Sequence, residues 1–153
     1  MSVVDSVFIA VPGASSEVAD WLVAEAGCEV MATERDAVRL RMRAHSADDW
    51  LGIVVQPNGY VLPDPEPDEV QAMDGYPIEV QIRGGASDDA LHREAGLLFD
   101  TLVAAHADVP MLLVHNLETL VTAHLPGAGT HTFTPPVSPD AEDLETWHNW
   151  IRT

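Results

Sequence analysis

Lysine is absent from this chain. Seven arginines stand against 25 aspartates and glutamates, for a formal net charge of −18. Proteins grip nucleic-acid phosphates by displacing counterions with Lys and Arg, so this balance argues against direct nucleic-acid binding. Cysteine is nearly absent too. Cys28 stands alone, which excludes an internal disulfide and a multi-cysteine zinc site. No histidine or basic residue neighbours it to lower its pKa, so a buried, inert thiol is expected. Long hydrophobic runs are also missing: none approaches the roughly 18 residues of a membrane span. The opening MSVVDSVFIAVPGASS carries no basic leader region. The expectation is a cytoplasmic protein without membrane association.

Catalytic motifs are equally scarce. There is no GxSxG elbow, and Gly13-Ala14-Ser15-Ser16 lacks the lysine and glycine spacing of a nucleotide loop. The histidines at 45, 92, 106, 115, 124, 131 and 148 form no HxH, HxxxH or HExxH pair, so no metal or other cofactor is expected. His92, one turn from Asp88 and Asp89, reads as an exposed helix residue. His115 and His124 fall toward opposite ends of their expected hairpin.

What is present is an ordinary globular composition. Of 153 residues, 46% are hydrophobic and 21% charged, enough to build a core without disulfides. The pattern gives a single α+β domain over 1–153. Its mostly antiparallel sheet has about six to eight strands, with two helices packed on it and a C-terminal amphipathic helix.

Strand-like segments are Val3 to Val11, Cys28 to Thr33, Val38 to Arg43 and Trp50 to Gln56, the last leading into an Asn58-Gly59 hairpin turn and a further strand. Ile78 to Arg83, Met111 to His115 and Thr119 to Leu125 complete the set. Ser15 or Ser16 caps a helix that stops at Gly27, and Ser87 caps a longer one whose apolar face carries Leu91, Ala95, Leu98, Leu102 and Ala105. The proline-rich stretch 63–69 reads as an exposed acidic loop, and 126–137 as an irregular loop. Ser138-Pro139 opens the terminal helix, with Leu144, Trp147, Trp150 and Ile151 on one face.

Two groups of residues invite a binding role. Arg39, Arg41 and Arg43 share one face of a strand at spacings of roughly 6.6 Å, which suits an anion. A solvated face paired to Glu29, Glu79 or other carboxylates explains the same stripe. The second group is acidic. Asp64, Glu66, Asp68 and Glu69 in the loop, and Asp140, Glu142, Asp143 and Glu145 around Trp147 and Trp150, combine an acidic rim with an aromatic anchor, although a terminal helix docking to close its own core explains the two tryptophans as well. Trp21 and Trp50, within apolar patterns, read as core.

A strand-helix-hairpin order recurs around Gly13-Ala14-Ser15-Ser16-Glu17 and Gly85-Ala86-Ser87-Asp88-Asp89, compatible with a duplication. This paired order resembles vicinal-oxygen-chelate proteins, the glyoxalase and bleomycin-resistance type. The resemblance implies a cupped sheet holding a metal or small ligand, with a His or Glu ligand on the first strand, where this chain offers only Asp5. The later elements are similar in order to small acidic secretion chaperones.

Size, acidity and missing motifs lead to one expectation: a non-catalytic protein-binding module, an immunity or antitoxin-type inhibitor of, or chaperone for, a basic protein partner. A homodimer is compatible with it. The rival is a small-molecule-binding or metal-dependent enzyme on a cupped sheet, which requires three convergent His or carboxylate ligands in a cavity.

Overall fold

The computed structural model describes residues 3–45 and 48–152, and the outermost residues of the expected domain lie outside these. Eight strands form one antiparallel sheet: β1 (Val4–Ile9), β2 (Glu29–Thr33), β3 (Val38–Arg43), β4 (Trp50–Pro57), β5 (Ile78–Gly84), β6 (Met111–His115), β7 (Thr119–Leu125) and β8 (Gly129–Val137). Their spatial order is β2-β3-β4-β5-β1-β6-β7-β8. The expected α+β class holds.

Alternation dictates the two faces. On β3, Val38, Leu40 and Met42 are buried while their arginine neighbours point the other way. The helices α1 (Ser15–Ala26) and α2 (Asp88–Ala105) cover the first face. There Val7, Ile9, Ile53, Val80, Ile82 and Leu113 pack with Leu22 and Leu98 in one core. A second core lies on the opposite face, where Phe8, Leu112 and Phe133 meet Met73, Tyr76 and Trp147. Burying each such side chain contributes about 1.5–3 kcal/mol. Strand β1 supplies both cores because it sits mid-sheet, and that is why its sequence is apolar almost throughout.

Local signals explain most boundaries. The Ser87 hydroxyl accepts from the Ala90 N–H at 3.1 Å and starts α2. Gly27 ends α1 at φ 68°, the left-handed conformation that glycine adopts without penalty. Between β6 and β7 the turn places Asn116 and Leu117 at φ 51° and 59°. The Asn116 N–H donates to the Val4 carbonyl at 2.7 Å, tying this turn to the start of β1.

Several expectations need correction. Residues 126–137 are not an irregular loop: β8 occupies most of them as an edge strand, with Thr130, Thr132 and Phe133 supplying strand propensity. Pro135 and Pro136 fit because an edge strand leaves N–H positions unpaired. The Asn58-Gly59 pair makes no hairpin. The Asn58 side-chain amide instead donates to the carbonyls of Met73 and Tyr76, both at 2.9 Å, so β4 pairs with β5 after a long excursion. Within 63–69, Pro67–Glu69 forms an exposed 3-10 turn.

The expected C-terminal helix is present but short: α3 (Leu144–Trp147) is flanked by the 3-10 turns Ala141–Asp143 and His148–Trp150. So short a segment, dense in carboxylates, has little intrinsic helix stability and follows its docking contacts instead. Ser15 does not cap α1; its hydroxyl donates to the Asp36 carbonyl at 3.1 Å. The two strand-helix-hairpin units also join the centre by different ends. The first contributes its last strand, β4, next to β5, whereas the second contributes β6 next to β1.

Candidate functional site

The densest polar chemistry lies where α2 crosses β1 and β6. Asp5 and His115 are register partners on those adjacent strands, and both alternate onto the helix-covered face. His92 reaches the same point from the first turns of α2. Asp5 is fully buried, and its Oδ2 lies 2.7 Å from His92 Nδ1 and 3.1 Å from His115 Nδ1. The two ring nitrogens are 2.5 Å apart, with the rings nearly perpendicular at 81°. Burial holds the His115 imidazole below the usual histidine value; the Asp5 carboxylate opposes that and His92 adds to it. Among the described residues Asp5 Oδ1, which is buried, has no hydrogen-bond partner. One ligand atom from each of the three residues can lie within 4.8 Å of the others, the arrangement of a small cation site.

Sequence reasoning missed this trio. His92 is not simply exposed; it hydrogen-bonds to a residue 87 positions away. The available signal was Asp5 itself, a charge inside the apolar run VVDSVFIAV, which folding tolerates only with partners.

The acidic residues form a different site. The backbone of Gln71 bridges to that of Asp140, and the Ala72 N–H donates to the Pro139 carbonyl at 2.8 Å. This brings the two acidic segments together, and Asp68, Glu69, Asp140 and Glu142 line one cleft with Tyr60 and Leu62. Leu62 remains 41% exposed. Asp64, Glu66 and Glu145 are exposed outside that lining. The Asp143 carboxylate is engaged within the segment, accepting from the Ser138 N–H at 2.7 Å.

Trp147 is not an available anchor. It is fully buried in the second core, and its indole N–H donates to the Asp140 carbonyl at 3.0 Å. Trp150 is half-buried and stacks on His131 with ring centroids 4.2 Å apart.

The arginine stripe is paired throughout. Arg39 meets Glu34 at 2.6 Å, Arg41 meets Glu29 at 3.2 Å, and Arg43 meets Asp48. Arg41 and Arg43 also lie over the ring of Trp50, which is therefore half-buried on this face rather than core. Trp21, likewise half-buried, stacks on His106. Glu79 takes no arginine. It accepts from Ser6, Gln56 and Gln81.

Among the described residues, no helix is long and apolar enough to cross a membrane. Comparison with protein-family models, curated proteins and solved structures gives no significant match.

Proposed function

We propose that this chain is a non-catalytic binding module for a basic protein partner, of the immunity-inhibitor or chaperone kind, and that an Arg- or Lys-rich segment of the partner docks in the acidic cleft. One observation carries the reading: segments some 70 residues apart in sequence are bridged at Gln71 and Asp140, so that their carboxylates surround a partly apolar floor at Tyr60 and Leu62. Carboxylates around such a floor attract cationic side chains from a distance and hold their aliphatic stems on contact. The net charge of −18 adds long-range attraction of the same sign.

Titration with octa-arginine in low salt tests the assignment. Asp68→Asn, Asp140→Asn and Glu142→Gln together should weaken binding by roughly tenfold or more, a loss of about 1.4 kcal/mol. A control with the same charge change, Asp20→Asn, Glu25→Gln and Asp100→Asn on the exposed helix surfaces, should bind nearly as the parent does. Equal losses in the two variants would show that the charge acts diffusely and that the cleft has no special role. Association should slow as salt rises, since the Debye length shrinks from about 10 Å at 0.1 M to about 3 Å at 1 M.

A second reading, metal-dependent chemistry, is favoured by Asp5, His92 and His115. The clefts at the start of α1 and beside Tyr60 are lined by other residues.

A further inference from the structure

We propose that Asp5, His92 and His115 bind one first-row divalent transition-metal ion, with zinc the ion best matched to the donors. This inference is independent of the acidic cleft. Two imidazole nitrogens and one carboxylate oxygen are the donor set that zinc takes in three-ligand sites, the fourth position being left to water.

The geometry shows why a cation belongs there. Asp5 Oδ2, His92 Nδ1 and His115 Nδ1 form a triangle with edges of 2.7, 3.1 and 2.5 Å. In the tautomers with both Nδ1 atoms free of hydrogen, each of the three atoms offers a lone pair to the others. Hydrogens on both Nδ1 atoms could each be donated to Asp5 Oδ2 but would then face one another across 2.5 Å, and with neither present the lone pairs repel, so a cation relieves the short edge. An ion at about 2.0–2.2 Å from each ligand would satisfy all three together and set them roughly 3.3–3.6 Å apart in a tetrahedral arrangement. The triangle must therefore open by about 1 Å or less. The imidazoles can move, because the His92 and His115 side chains retain 32% and 18% exposure, whereas Asp5 is fixed at 0%. That exposure also supplies an entry path and room for water.

The second observation is Asp5 Oδ1, buried and without a partner among the described residues. A carboxylate in a central strand, with Ile82 and His115 as register partners and the two imidazoles against one oxygen, is costly to bury. A divalent ion would offset that charge and leave Oδ1 available as an additional weak ligand. The ligands come from β1, α2 and β6, so the ion would clamp the start of α2 to the middle of the sheet.

The experiment is calorimetric titration of the chelator-treated, dialysed chain with zinc chloride alone, with cobalt(II) absorption as a second probe of coordination. One ion per chain is expected, with visible cobalt bands typical of tetrahedral nitrogen and oxygen ligation. His92→Ala and His115→Ala should each lower zinc affinity by at least about a hundredfold, whereas His131→Ala and His148→Ala should not. Imidazole 15N spectra of the unmutated protein guard against variants that fail to fold: zinc should shift the Nδ1 resonances of His92 and His115. No binding, binding retained after both substitutions, or shifts confined to other histidines would overturn the proposal and leave the trio as a hydrogen-bonded structural contact.

Discussion

The Ser6 hydroxyl donates to Glu79 Oε2 at 2.8 Å, joining β1 to β5 on the face away from the helices. Glu79 is only 1% exposed, and its other oxygen accepts from the Gln56 amide at 3.0 Å. Among the described residues its hydrogen-bond partners are the neutral side chains of Ser6, Gln56 and Gln81. Glu79→Ala should therefore cost about 2–4 kcal/mol, because it strands buried donors on both neighbouring strands. Glu79→Gln keeps one acceptor oxygen and should cost less. Urea unfolding midpoints of the two variants check the order, and equal stability of both with the parent would refute the role.

Trp147 and Trp150 should separate cleanly. Trp147→Ala removes a fully buried indole from the second core and should destabilise by about 3–5 kcal/mol. Trp150→Ala removes a half-exposed stacking partner of His131 and should cost about 1 kcal/mol. Thermal or urea unfolding measures both. A small loss for Trp147→Ala would mean that the terminal segment is not held as described.

Alkaline pH should destabilise the fold. Burial pushes the Cys28 thiol up from 9.0 to about 11 and the Tyr76 phenol up from 10.0 to about 12. The Arg152 N–H donates to the Tyr76 oxygen at 2.9 Å and opposes the second change. Both folded values are raised, so the full stability is present below about pH 9. It falls as pH rises toward 12, because the unfolded chain ionises first. Linkage sets the loss at about 1.4 kcal/mol per group for each pH unit in which only the unfolded state is ionised. Urea midpoints should drop between about pH 9 and 12, and Cys28→Ala with Tyr76→Phe should flatten the curve. Iodoacetamide should modify native Cys28 slowly at neutral pH, since the thiol is both buried and protonated.

The legible parts of the fold were those written in short-range chemistry. The alternation of Val38 to Arg43, the Ser87 cap and the Met111 to Leu125 hairpin each need only a few neighbouring residues, and each stands as read. Of the carboxylates within cross-strand reach of the arginine stripe, Glu29 does pair, with Arg41, whereas Glu79 does not. The residues that misled were those whose neighbours lie far along the chain. Asn58 looks like half of a tight turn until its amide is seen bound to the carbonyls of Met73 and Tyr76. Pro135 and Pro136 suggest a loop until β8 is known to be the sheet edge. Trp147 fits both an exposed anchor and a core-closing residue until the second core takes it. The Asp5, His92 and His115 trio was hidden for the same reason. Its spacings of 87 and 23 residues have no local pattern, and only the register of β1 with β6 brings it together.

The central place of β1 also sets an order of events during synthesis. It is made first among the strands, yet Val7 pairs with Val80 on one side and with Leu113 on the other. The strands from β2 to β4, and from β6 to β8, are antiparallel neighbours joined by short connections and can pair as soon as they are made. The sheet becomes one only after residues 111–115 leave the ribosome. Until then one or both edges of β1 stay open, and closing such distant pairs is slow. A nascent chain halted between residues 84 and 111 would display Val7, Phe8 and Ile9 along an unpaired edge, the kind of surface that holding chaperones bind and that other nascent strands can join.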